Sequence, residues 1–298
     1  MATERVYLYP ALFIGENMNP RVFLKVMILF MVVFALICLI LPVTIASGYT
    51  RVMHPLALLI GAVLSQRVAS IYQSELRKAF IFLSLFLFFM MLAHIDPFMA
   101  LLSTFGDLFP LVVLIMQWIT YAMLVLCSLC VLKVTELRAI SKRGGIAITA
   151  VSVLGILIVT YHIPSLLQQI FVFHYAAVYT LSLLLIRLAD AAIVIMLVPV
   201  VILYAQQMKL EGRESITFTA IIGGIILSLT AAYVYEIGLG MPLHVVKQEV
   251  YHTGSILDAL YLFSYLMIAA GLYVHKRYDE WGFALIEQAL GRLNDHES

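Results

Sequence analysis

Charge is scarce in this sequence. Asp, Glu, Lys and Arg supply only 12% of its 298 residues, about half of the ~25% carried by an average soluble domain. With 63% hydrophobic residues and a mean hydropathy of +1.04, the chain cannot cover a surface in water. That excludes a soluble globular protein and points to an integral membrane protein. The net charge of +1 offers no basic face, so no nucleic-acid partner is expected. Enzyme signatures are missing too: there is no P-loop, G-x-S-x-G, H-E-x-x-H or dinucleotide fingerprint. A non-enzymatic role is the leading expectation. No cleavable signal peptide is evident, because the first apolar run begins near Arg21 and is too long for one.

Cysteine is rare as well. Cys38, Cys127 and Cys130 all fall in apolar runs. Cys127 and Cys130 stand one helical turn apart in "CSLC", a spacing like that of metal or redox motifs. Inside a span, however, a free cysteine behaves as a small hydrophobe, and packing is the reading adopted.

What the chain does have is long apolar runs. A bilayer core needs roughly 20 apolar residues per helix. Runs of that kind cover 22–47, 54–71, 79–96, 108–132, 145–162, 174–206, 216–238 and 253–275. The expected fold is therefore an all-α polytopic bundle of eight transmembrane helices. Cations test the number. With eight spans, fifteen Lys and Arg collect on the side that holds both termini, and only Arg51 and Lys247 lie opposite. By the positive-inside rule both termini are expected to be cytoplasmic, in a multi-pass protein of the cell membrane.

Histidine partitions the other way. His54, His94, His162, His174, His244 and His252 fall near outer helix ends, joined by Asp96, Glu236, Asp258 and several tyrosines. Such groups can ligate, titrate or stack. His54, His94, His162, His174 and His252 are thus candidate cofactor ligands, for haem or a transition metal. The same mixture suits a quinone headgroup. No two of these histidines have the tight spacing of a metal motif, and histidine at an interface is common.

The candidate intramembrane polar groups are Arg187, Asp190, Glu236, Asp258, Tyr261 and Tyr265. Arg187 and Asp190 interrupt the run "LLLIRLADAAIVIML". Three residues apart, they share a helix face and can pair, which lowers the ~2.5–3.5 kcal/mol cost of a lone charge at mid-bilayer. They are either a buried structural pair or a proton, ion or anion site. Asp258, Tyr261 and Tyr265 also share one face, as a polar seam or as the wall of an outward-facing pocket.

An internal repeat is visible. Thr120-Tyr121-Ala122-Met123 aligns with Ser264-Tyr265-Leu266-Met267, each preceded by a polar turn ("QSELRKAF", "EGRESITF") and a span. The expected repeats are 22–134 and 145–278, two four-helix units running the same way, with a pseudo-two-fold axis along the membrane normal.

The segments "TAAYVYEIGLG" and "YHTGSILDALYLFSYLMIAAGLYVHKR" resemble the closing helices of polytopic sensory membrane regions that precede PAS, diguanylate cyclase or histidine kinase modules in prokaryotes. The positions that carry the likeness are Gly254, Ser255, Asp258, Tyr261, Ser264 and Tyr265. The resemblance implies a sensory role in a prokaryotic membrane. The sequence departs from that pattern after Arg277, where the 21 remaining residues leave no room for an output domain.

The bundle is accordingly expected over 1–278 and an amphipathic cytoplasmic tail over 279–298. In that tail Trp281, Leu285, Ile286, Ala289, Leu290 and Leu293 share a face. The tail would cap the bundle, or dock a protein partner or a second copy. The leading expectation is a membrane sensing or scaffold module that binds at its outer face and acts through a partner. The alternatives are a haem- or quinone-binding subunit of a respiratory electron-transfer complex, and a small transporter using Arg187 and Asp190.

Overall fold

A computed structural model describes residues 43–134, 141–171, 177–211, 213–238 and 256–276, together with 29, 32–34, 36–37 and 40. Apolar residues without interior turn chemistry make nearly all of it helical, and the described residues contain no strand. The helices are α1 (Val43–Ala69), α2 (Ser74–Ala93), the short α3 (Asp96–Ser103), α4 (Phe109–Val134), α5 (Lys142–Phe171), α6 (Ala177–Glu211), α7 (Arg213–Gly238) and α8 (Ile256–Lys276). Five contain stretches long and apolar enough to cross a membrane: Ile45–Ala69, Ser74–Ala93, Leu111–Val134, Leu184–Leu203 and Leu257–Lys276. A shorter apolar stretch, Ala220–Ala232, lies in α7.

Some boundaries differ from the sequence reading. Residues 48–53, expected as an outer turn, are helical and continuous with α1. Thr50 closes its hydroxyl onto the Ala46 carbonyl, and the helix runs on through Pro55. The span expected over 145–162 runs on through Pro164, and α5 continues as far as Phe171. Helix α5 starts at Lys142, ahead of the expected span start at 145, where the Ser141 hydroxyl accepts from the Gly144 amide. The third span ends earlier than expected, at Ala93. Pro97 opens the next helix there, and proline favours the first helical turn, where its missing N–H is not needed.

Six helices close a ring. In order around it, α1 packs on α2, α2 on α4, α4 on α6, α6 on α7, α7 on α8, and α8 back on α1. Helix α5 packs on α6 from outside the ring, and α3 bridges the ends of α2 and α4. Without a hydrophobic drive between helices in lipid, association depends on close packing and interhelical hydrogen bonds. Both are present. Ser65 donates to the Phe80 carbonyl at 2.7 Å and Ser84 to the Ala62 carbonyl at 2.8 Å, stitching α1 to α2. Gly224 lets α7 approach α8 so closely that an added Cβ would stand 2.7 Å from the Ser264 carbonyl oxygen.

Every ring helix then gives a fully buried apolar side chain to one apolar core: Leu58, Leu83, Leu124, Ile193, Ile225 and Ile268. Cys127 and Cys130 are buried, unbridged thiols in the same core. At the ring end where α8 finishes, His275 is buried among Tyr72, Phe80 and Phe218, with ring centroids 5.4, 6.1 and 5.4 Å away. The Tyr72 hydroxyl is hydrogen-bonded to the His275 Nε2.

Candidate functional site

Toward the start of α8, the ring opens into a cavity of about 590 Å³, well within the ~300–1,000 Å³ range of ligand pockets. All six ring helices and α3 line it. Helix α1 brings His54 and Thr50, α2 brings Phe86 and Met90, and α4 brings Gln117, Thr120 and Tyr121. Helix α6 brings Arg187, α7 brings Ser228, and α8 brings Asp258, Tyr261 and Tyr265. His94, the residue that ends α2, also lines it. Residues predicted separately from the sequence thus meet in one place.

His54 and His94 are neighbours there, with ring centroids 5.3 Å apart and planes at 67°. His54 Nε2 lies 2.9 Å from the Asp258 backbone carbonyl, across the α1–α8 packing. His94 Nδ1 lies 2.8 Å from the Met90 carbonyl, one turn back. A carbonyl oxygen only accepts, so each of these nitrogens carries the hydrogen. In the neutral rings, Nδ1 of His54 and Nε2 of His94 are then lone-pair acceptors. Tyr265 meets His54 edge to face at 5.7 Å and packs on Tyr261 at 6.2 Å. Phe34 packs on His54 at 6.3 Å.

Arg187 and Asp190 form a buried ion pair, their side chains 8% and 6% exposed. The Tyr121 hydroxyl points to the Asp190 carboxylate from α4. The pair therefore helps to fix α6 against α4 while placing a guanidinium in the cavity wall. At the rim a second pair, Arg51 and Asp96, is 3.4 Å apart and open to solvent.

The other predicted residues are not brought to this site by the described structure. His162 lies on α5, which packs outside the ring, and Glu236 lies near the end of α7. The side chains of both fall outside the described residues, as do His174, His244 and His252. The described residues contain no group of three or more His, Cys, Asp or Glu placed to hold a metal ion.

The sequence reading passed over several groups that the fold places at the site. Thr50, Gln117 and Ser228 line the cavity. Tyr121 was visible only as the partner of Tyr265 in the repeat. His275, not singled out from the sequence, anchors the aromatic knot at the far end of α8. No family model, curated protein or solved structure matches the chain.

Proposed function

We propose that this protein is a non-enzymatic membrane sensing module. It receives a small molecule in the outer-end cavity and passes its occupancy to a protein partner on the cytoplasmic side. The observation that carries this reading is the cavity itself. It lies inside a closed helical ring and gathers His54, His94, Arg187, Asp258, Tyr261 and Tyr265, which the chain scatters over four helices. An intramembrane cluster of costly polar groups is a functional site by default. The resemblance of the last two spans to prokaryotic sensory regions points the same way. The tail 279–298 is the proposed docking element.

In this reading the protein has eight spans in two parallel four-helix units, with both termini cytoplasmic. The neighbour pattern of the ring supports the duplication. Exchanging α1 with α6, α2 with α7 and α4 with α8 maps every contact of the ring onto another. Burial repeats with it. Ala46, Thr50, His54 and Ala57 on α1 have the same spacing as Ser182, Ile186, Asp190 and Ile193 on α6.

A cavity-filling variant tests the receptor function. Small molecules extracted from the native membrane should raise the thermal midpoint of the purified protein and leave Ser228→Trp unmoved. If no extract moves the wild-type midpoint, the cavity is not a receptor site.

A further inference from the structure

Resting on the receptor reading above, we infer that the cavity selects a neutral aromatic alcohol, of the phenol or hydroquinone class, by accepting its hydroxyl hydrogens on His54 and His94.

The charges at the site argue against an anion. Arg51 meets Asp96 and Arg187 meets Asp190, so an anionic ligand would have to displace a carboxylate from a guanidinium that already holds one. Unlike the paired arginines, the two imidazoles offer acceptors. Each has one nitrogen committed to a backbone carbonyl, at 2.9 Å for His54 and 2.8 Å for His94. A neutral imidazole has only one N–H, so what remains for a ligand is a lone pair on each ring. Two adjacent acceptors reward a ligand that donates. They penalise one that only accepts, because its oxygen would face a lone pair and leave buried polar atoms unsatisfied.

The surroundings favour a flat ring as the body of that donor. His54 is edge to face with His94 and Tyr265, and Phe86, Met90 and Met116 complete the apolar wall. Aromatic rings in such walls favour offset or edge-on contacts, and methionine sulfur adds favourable contacts with ring edges.

The test compares three probes on the full-length protein in lipid nanodiscs, by equilibrium dialysis without oxygen. They are 2,3-dimethoxy-5,6-dimethylhydroquinone, the corresponding quinone, and the bis-methyl ether of the hydroquinone. Their ring bodies are alike, but only the first donates. The hydroquinone should bind at least about tenfold more tightly than the other two, as expected for one unmatched hydrogen bond. His94→Phe, which keeps a ring but removes its acceptor, should erase most of that preference, by weakening hydroquinone binding and relieving the penalty on the quinone.

Equal or tighter binding of the quinone or the ether by the wild-type protein overturns the inference, and that comparison needs no variant to fold. A preference that survives in both His94→Phe and His54→Phe overturns it too. If no probe binds while a membrane extract still stabilises wild type but not Ser228→Trp, the ligand class is wrong and the receptor reading stands. If neither probe nor extract acts, both fall.

Discussion

Arg187 and Asp190 remove each other's charge from the bilayer, and their energetics follow from that. Cutting one partner leaves the other as an uncompensated buried charge, which costs about 3–5 kcal/mol, whereas replacing both with apolar residues is often neutral or stabilising. Arg187→Leu and Asp190→Leu should therefore each lower the thermal midpoint in detergent sharply, and the double variant should recover most of the loss. If the double variant is as unstable as the sum of the two singles, the pair is not the unit described. The sequence showed this pair because both members lie on one helix at a spacing that fixes their meeting. It did not show His54 meeting His94, or Tyr121 reaching Asp190. Those encounters depend on which helices are neighbours, and hydropathy has no bearing on that.

At the scale of elements, close approach matters more than helix length. Replacing glycine by alanine within a helix ordinarily gains about 0.5–1 kcal/mol. At Gly224 the added methyl would lie 2.7 Å from the Ile268 Cγ1 as well as from the Ser264 carbonyl oxygen, and the overpacking cost of about 1–3 kcal/mol outweighs that gain. Gly224→Ala should destabilise the protein, while Gly48→Ala, whose methyl meets nothing within 4 Å, should be neutral or stabilising. Thermal melts of the two side by side decide it, and equal midpoints would mean that α7 and α8 are not tightly packed. The polar stitches between α1 and α2 are smaller effects. Ser65→Ala should cost about 0.6 kcal/mol, the average for hydrogen bonds between membrane helices. Helix positions were largely legible because apolar runs announce themselves. The extension of α1 across residues 48–53 was not, since Gly48 and Pro55 read as breakers while Thr50 satisfies its own turn.

For the whole molecule, the cation asymmetry and the ring make separate demands. The first requires reporters fused at residue 1 and residue 298 to be active on the cytoplasmic side, and one inserted within 239–255 to be active outside. A terminus found outside would dismantle the proposed topology. The ring requires that the cavity be built by helices from both halves of the chain together. Its all-α, membrane-embedded character could be read from composition, but the closure of α8 onto α1 could not, because the two are far apart in sequence and share no pattern.

That closure gives α8 an unusual position. One uninterrupted rod of 21 residues, about 30 Å long at 1.5 Å per residue, carries Tyr261 in the cavity and His275 in the aromatic knot with Tyr72. No proline interrupts it, so a piston or twist imposed at the cavity end would be carried toward the His275 end. Tyr72 sits in the turn joining α1 to α2 and would be the first to feel it.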